Sequence, residues 1–201
     1  MNKRSGKKMT AAKKRWGNGA RVDDLETGKK ILLRSAVECF VTRGIKATTI
    51  EDIAQEANVT RRTVYRYFNG KTDIIAALIQ VERSRMFHKL EEHLQGMDVD
   101  FSTLLNESIW YAATYLPPEE GKADLVSGIN ASEASPFLYS DESSEHWHKI
   151  LAEPLKQYNR EHNKTLDLED LIAIVARLVL SFRQHPASRA EFNSMLQTFR
   201  L

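Results

Sequence analysis

The stretch from Ala47 to Lys71, ATTIEDIAQEANVTRRTVYRYFNGK, constrains the fold most, because it lays two short helices on either side of a tight turn. Thr48 or Thr49 supplies a hydroxyl that accepts an orphan amide hydrogen at a helix start, and Glu51 and Asp52 suit the positive end of the dipole. Ile50, Ile53, Ala54 and Ala57 follow at the spacing that gathers apolar groups on one helical face, and the small Ala54 lets a crossing helix come close. Asn58 stands where the turn needs a left-handed backbone angle, which Asn tolerates better than most residues. Thr60 caps the second helix, Arg61 to Phe68, whose Val64 and Phe68 fall four apart on the inner side. The remaining positions, Arg61, Arg62, Thr63, Tyr65, Arg66 and Tyr67, carry guanidinium forks suited to guanine edges and phosphates, and hydroxyls suited to phosphate oxygens. Such a set equips a helix to enter a DNA major groove.

With LLRSAVECFVTRGIKA before it and GKTDIIAALI after it, the segment resembles the TetR family of one-component bacterial transcription regulators over about residues 32–80. The resemblance is carried by Phe40, Arg43 and Gly44 at the end of a first helix, then Thr48 and Thr49. It continues through Ile53, Ala54, Ala57 and Val59, then Thr63, Tyr65, Tyr67 and Phe68, and finally Lys71. Asn58 replaces the frequent Gly, and Arg62 stands where a small residue or Pro is common. The resemblance implies that Thr49, Tyr65, Tyr67 and Lys71 contact phosphates, with Thr60 capping the reading helix. It also implies that Arg61, Arg62, Thr63 and Arg66 face base edges.

Charge divides the chain at the same place. Residues 1–71 hold 17 Lys and Arg against 7 Asp and Glu, net +10, whereas residues 72–201 hold 12 against 20, net −8. The basic half suits nucleic acid. Residues 1–27 mix Lys and Arg clusters with Gly and Asn, show almost no apolar periodicity, and are expected to be a disordered basic arm. Arg4, Lys13, Lys14 and Arg15 are placed to follow a DNA backbone or groove, or the arm is a solvated tail. Residues 28–71 are expected to form the helix-turn-helix domain and residues 72–201 a ligand-binding and dimerisation domain.

The remainder reads as all-α. A first helix from Thr27 to Arg43 stops at Gly44, and a long helix capped by Thr72 and Asp73 runs to Leu94 and ends at Gly96. Further helices are expected over 101–116, 122–131, 141–162, 167–184 and 187–199. The fold class is an N-terminal three-helix, helix-turn-helix domain followed by a C-terminal helical bundle. Leu171, Ile172, Val175, Leu178, Val179 and Phe182 form a stripe broad enough to be covered on two sides, a candidate dimer interface or an intrachain core helix. One reading helix touches too few base pairs to single out a genomic site, so a homodimer on a palindromic operator is expected.

The resemblance also implies a cavity for a small effector in the C-terminal bundle, for which Trp110, Tyr111, Tyr115, Phe137, Tyr139 and Trp147 are the candidates. His146 and His148, two apart, point to different helical faces, so no metal or other cofactor is expected. No phosphate loop, nucleophile elbow or HExxH motif occurs, and no enzymatic activity is expected. The single cysteine, Cys39, beside Phe40, reads as a small buried hydrophobe before a redox sensor. The longest apolar run, Leu171 to Ala176, is far short of a membrane span, and a cytosolic location is expected. These features favour a homodimeric, effector-released repressor. The alternative is a non-specific architectural or anionic-membrane-surface binder acting through the basic arm, which would lose all binding in high salt.

Overall fold

The computed structural model describes residues 22–116 and 141–198. Eight α-helices occur among them: α1 (Val22–Arg43), α2 (Ile50–Glu56), α3 (Arg61–Tyr67), α4 (Lys71–Leu94), α5 (Phe101–Thr114), α6 (Asp141–His162), α7 (Leu168–Gln184) and α8 (Arg189–Thr198). No strand is found among the described residues.

Two apolar clusters organise these helices. Leu32, Leu33, Ala36, Cys39 and Phe40 of α1 meet Ile50, Ile53 and Ala54 of α2, Val64 of α3, Phe68, and Ile74 and Ile75 at the start of α4. Full burial of side chains such as Ile53 and Ile74 contributes about 1.5–3 kcal/mol each, enough collectively to hold two helices of only seven residues that would be unstable alone. The second cluster joins Met86, Phe87 and Leu90 of α4 to Leu105 and Ile109 of α5, Trp147, Leu151 and Leu155 of α6, Leu171, Ile172 and Val175 of α7, and Phe192 and Leu196 of α8. α4 therefore feeds both clusters, its first turn one and its second half the other. Val81 between them is 45% exposed, so the apolar side of α4 is interrupted where the helix passes from one core to the next.

Turn chemistry follows the sequence closely. Gly44 and Gly96 take φ of +80° and +79°, and Asn58 takes φ of +54°, the left-handed angle read from its position. α1 starts at Val22, five residues earlier than expected, so residues 22–27 are helical. Asp23, Asp24 and Glu26 are residue types that favour a helix N-terminus. The arm residues Arg4, Lys13, Lys14 and Arg15, and the helix expected over 122–131, lie outside the described residues. The start of α4 also differs from expectation. Gly70, not Thr72 or Asp73, is the N-cap and makes no side-chain cap, while Asp73 reaches back to accept from the backbone N–H of Asn69 (3.0 Å) and its side-chain amide (3.1 Å).

Candidate nucleic-acid interface

Local hydrogen bonding builds this surface. Thr49 is the N-cap of α2 in a capping box: its hydroxyl accepts from the backbone N–H of Asp52 (3.2 Å), and the Asp52 carboxylate accepts from the Thr49 backbone N–H (2.8 Å). These bonds from Thr49 hold the Asp52 carboxyl below the usual carboxylate range, with the neighbouring Arg43 guanidinium adding to them. Thr48, the other candidate cap, is buried and donates its hydroxyl to the carbonyls of Gly44 (2.8 Å) and Cys39 (3.2 Å), fastening the turn to the end of α1. Burial raises the Cys39 thiol above its ordinary value, so it stays protonated inside this core.

α3 is anchored by Val64 and by Phe68 just beyond its end, both buried, and capped by Thr60, whose hydroxyl accepts from the Thr63 backbone N–H (3.2 Å). The opposite side is open to solvent. Tyr65 is 43% exposed, and Arg61, Arg62 and Arg66 are exposed with it. Arg61 pairs with Glu51 of α2, donates to the Tyr65 hydroxyl (3.3 Å) and lies 5.3 Å over that ring. Arg66 donates to the Tyr67 hydroxyl (2.8 Å) and lies 4.9 Å over its ring. Arg62, the departure noted in the sequence, makes no polar contact among the described residues. Two of the three guanidinium groups are thus held in place by aromatic neighbours, and the third is unrestrained.

Lys71 is placed otherwise than the resemblance implies. Its ammonium donates to the backbone carbonyls of Ile45 (2.8 Å), Thr48 (3.0 Å) and Lys46 (3.2 Å), which uses all three of its N–H donors. In this state it is a clasp between the start of α4 and the α1–α2 turn, with no donor left for a phosphate.

The C-terminal candidates separate into two groups. Trp147 is 3% exposed, its ring edge-on to Phe87 at 5.1 Å, and belongs to the core. Trp110, Tyr111 and Tyr115 lie together along α5, with Tyr111 stacked on His93 (4.9 Å) and Trp110 under the guanidinium of Arg189 (5.0 Å), which also pairs with Glu107. Phe137 and Tyr139 lie outside the described residues. The stripe on α7 is shared between a buried and a half-buried part. Leu171, Ile172 and Val175 are buried in the chain's own core, and Leu178, Val179 and Phe182 pack against it, because α5 and α6 cover that side. Ile174, on the other side, is 53% exposed.

His146 stacks on Phe87 (4.6 Å), while both ring nitrogens of His148 face acceptors, the Ser144 carbonyl (2.8 Å) and Glu169 (2.6 Å). No cluster of three or more metal-ligating side chains occurs among the described residues, and no helix among them is long and apolar enough to cross a membrane. The sequence reading missed Arg183. Ile172, Val175, Val179 and Arg183 recur three, four and four apart, so helical spacing alone carries that arginine onto the inward side of α7.

A capped and anchored helix presenting arginines and tyrosines across a tight turn from a supporting helix defines a helix-turn-helix DNA-binding unit. Residues 32–78 match the family model described as bacterial regulatory proteins, tetR family. Among curated proteins, the uncharacterized HTH-type transcriptional regulator TtgW of Pseudomonas putida is 41% identical over 54 residues, 27% of this chain and 40% of that protein. A probable acrEF/envCD operon repressor of Escherichia coli is 30% identical over 86 residues, 42% of this chain and 39% of that protein. The chain thus spans no more than about two fifths of these relatives' lengths. Among solved structures, a TetR-family transcriptional regulator from Pectobacterium atrosepticum superposes with a TM-score of 0.61 at 18% identity, covering 90% of this chain and 94% of its own. That likeness is one of fold, and it extends past the matched segment into the C-terminal helices.

Proposed function

We propose that the protein is a cytosolic, homodimeric transcriptional regulator that represses from a palindromic operator and releases it when a small amphipathic molecule binds among its C-terminal helices. The observation that carries this reading is α3: its apolar residues are spent on the core, its N-terminus is capped, and its arginines and Tyr65 remain exposed, with Tyr67 half-buried against the core. The repressor sign is supported by the Escherichia coli relative, named a probable operon repressor. With Leu171, Ile172 and Val175 buried inside the chain, the surface left on that helix for a second copy centres on the exposed Ile174, with the half-buried Leu178 one turn on.

Linkage limits what the effector can do. It lowers DNA affinity only by the ratio of its affinities for the free and DNA-bound arrangements of the two reading helices. Selection of bound fragments from random duplexes, followed by titration against salt, tests the proposal. A recovered palindrome that keeps its advantage over random duplex as salt rises supports it. Binding to every duplex and to anionic vesicles that vanishes together in high salt means that an unspecific basic surface does the work. Sedimentation of the full chain alone and with the recovered duplex tests the dimer.

A further inference from the structure

One polar cluster in the C-terminal bundle has no role in the DNA-binding surface. Arg183, near the end of α7, donates from Nη2 to the carbonyl of Tyr115 (2.8 Å), the residue that closes α5. That bond uses one of five guanidinium N–H donors. No carboxylate among the described residues pairs with this arginine. Among the described residues the buried Tyr115 hydroxyl has no hydrogen-bond partner, and neither has the second carboxylate oxygen of Glu82 on α4, whose first oxygen accepts from Arg85 at 2.9 Å. Burial pulls the guanidinium of Arg183 below its ordinary value and pushes the Tyr115 phenol above its own, with Glu82 and Arg85 near enough to Tyr115 to bias it in opposite directions. Three helices thus contribute a cation with no carboxylate partner among the described residues, an idle hydroxyl and an idle acceptor, and the two idle buried oxygens cost free energy until they are partnered.

We propose that Arg183 and the Tyr115 hydroxyl bind the carboxylate of a monoanionic amphiphile, whose apolar body lies along Tyr111 and Val179, one turn before the two anchors on their helices. A planar carboxylate matches the guanidinium fork and accepts the phenolic proton as well. One negative charge balances Arg183, since Arg85 and Glu82 already balance each other; a dianion would place its excess charge against Glu82. The donors on Arg183 orient the head group, and the aromatic and aliphatic neighbours take up the chain. In its regulatory consequence this proposal rests on the reading above: the site borders α4, the helix whose first turn is packed into the DNA-binding cluster. The binding itself does not.

The test uses the full chain without DNA. Thermal shift and calorimetric titration are run with hexanoate through palmitate and with phenylacetate, each against the alcohol of the same carbon skeleton. The expected result is binding by one or more carboxylates and at least tenfold weaker binding by the matching alcohols. Arg183→Met is expected to lose about tenfold to a hundredfold, Arg183→Lys less because it keeps charge without the fork, and Tyr115→Phe a smaller amount. Equal binding of acid and alcohol, undiminished binding by Arg183→Met, or no carboxylate bound at millimolar concentration overturns the proposal. Should Arg183→Met fail to fold by circular dichroism, Tyr115→Phe and the acid–alcohol comparison decide alone. Operator binding is measured separately, so a chain that binds carboxylates but no operator keeps this site and loses the regulator reading.

Discussion

Replacing Lys71 by Met keeps most of the side-chain stem and removes the ammonium that ties α4 to the α1–α2 turn. The carbonyls of Ile45, Thr48 and Lys46 each lose a charged donor. A hydrogen bond to a charged group contributes about 1.5–3 kcal/mol when buried. Lys71 is only half-buried and the Lys46 contact is exposed, so water recovers much of that. A loss of about 1.5–3 kcal/mol for the whole clasp is therefore expected, read as a lower denaturation midpoint with an unchanged m-value. The consequence for DNA distinguishes a clasp from a phosphate ligand. A lysine that neutralises a phosphate contributes close to one unit to the slope of log K against log salt, and its removal flattens the slope by about that amount. A clasp leaves the slope where it was and lowers affinity by reducing the fraction of chains whose reader is correctly set. Filter-binding or anisotropy titrations of wild type and Lys71→Met over a salt series read both quantities. A slope flattened by about one unit with stability intact refutes the reasoning and means that the ammonium leaves its carbonyls for a phosphate in the complex.

Glu51→Gln releases Arg61 from its ion pair and removes a negative charge from the DNA-facing side; affinity for specific and random duplex is expected to rise together, and an unchanged or weaker affinity contradicts the placement of Glu51 beside α3. Arg62→Ala is expected to cost about 1–3 kcal/mol at one base pair of the operator while leaving other positions alone, which saturation variants of the recovered site measure; uniform weakening would make Arg62 a phosphate contact. Asn58→Ala forces a β-carbon without a local hydrogen-bonding side chain into the left-handed region, so about 1 kcal/mol of stability should be lost and Asn58→Gly should be tolerated; equal midpoints for both variants would remove the turn argument. His148 is held protonated first by the Ser144 carbonyl and then by Glu169, which raises its pKa above the ordinary value. A raised value means its contribution is present in full below about pH 6.5 and fades as pH climbs through the folded value. An NMR titration of the ring should show this elevation, reduced in Glu169→Gln, and a midpoint at or below the ordinary value contradicts it.

Local rules made most of the fold legible. Asp141–His162 coincides with the expected 141–162, and α7 and α8 differ by a residue or two at their ends, because caps and stops such as Asp167 and Gly96 are properties of a few adjacent residues. What was not legible depended on partners distant in sequence. Lys71 looked like a phosphate ligand because its acceptors lie more than twenty residues earlier, in a turn whose carbonyls no sequence pattern announces. Leu171, Ile172 and Val175 could serve an interface or a core equally well until α5 and α6 were seen to cover them. Arg183 is the sharper case, since its spacing from Val175 and Val179 carried the information, yet an arginine is read by habit as solvated. Its lack of a carboxylate partner among the described residues also gives the inward face of α7 two physical characters, an apolar stretch that closes the core and a charged end that does not. Packing explains the first, and the second leaves a half-buried cation held by the Tyr115 carbonyl, which the proposed carboxylate would pair.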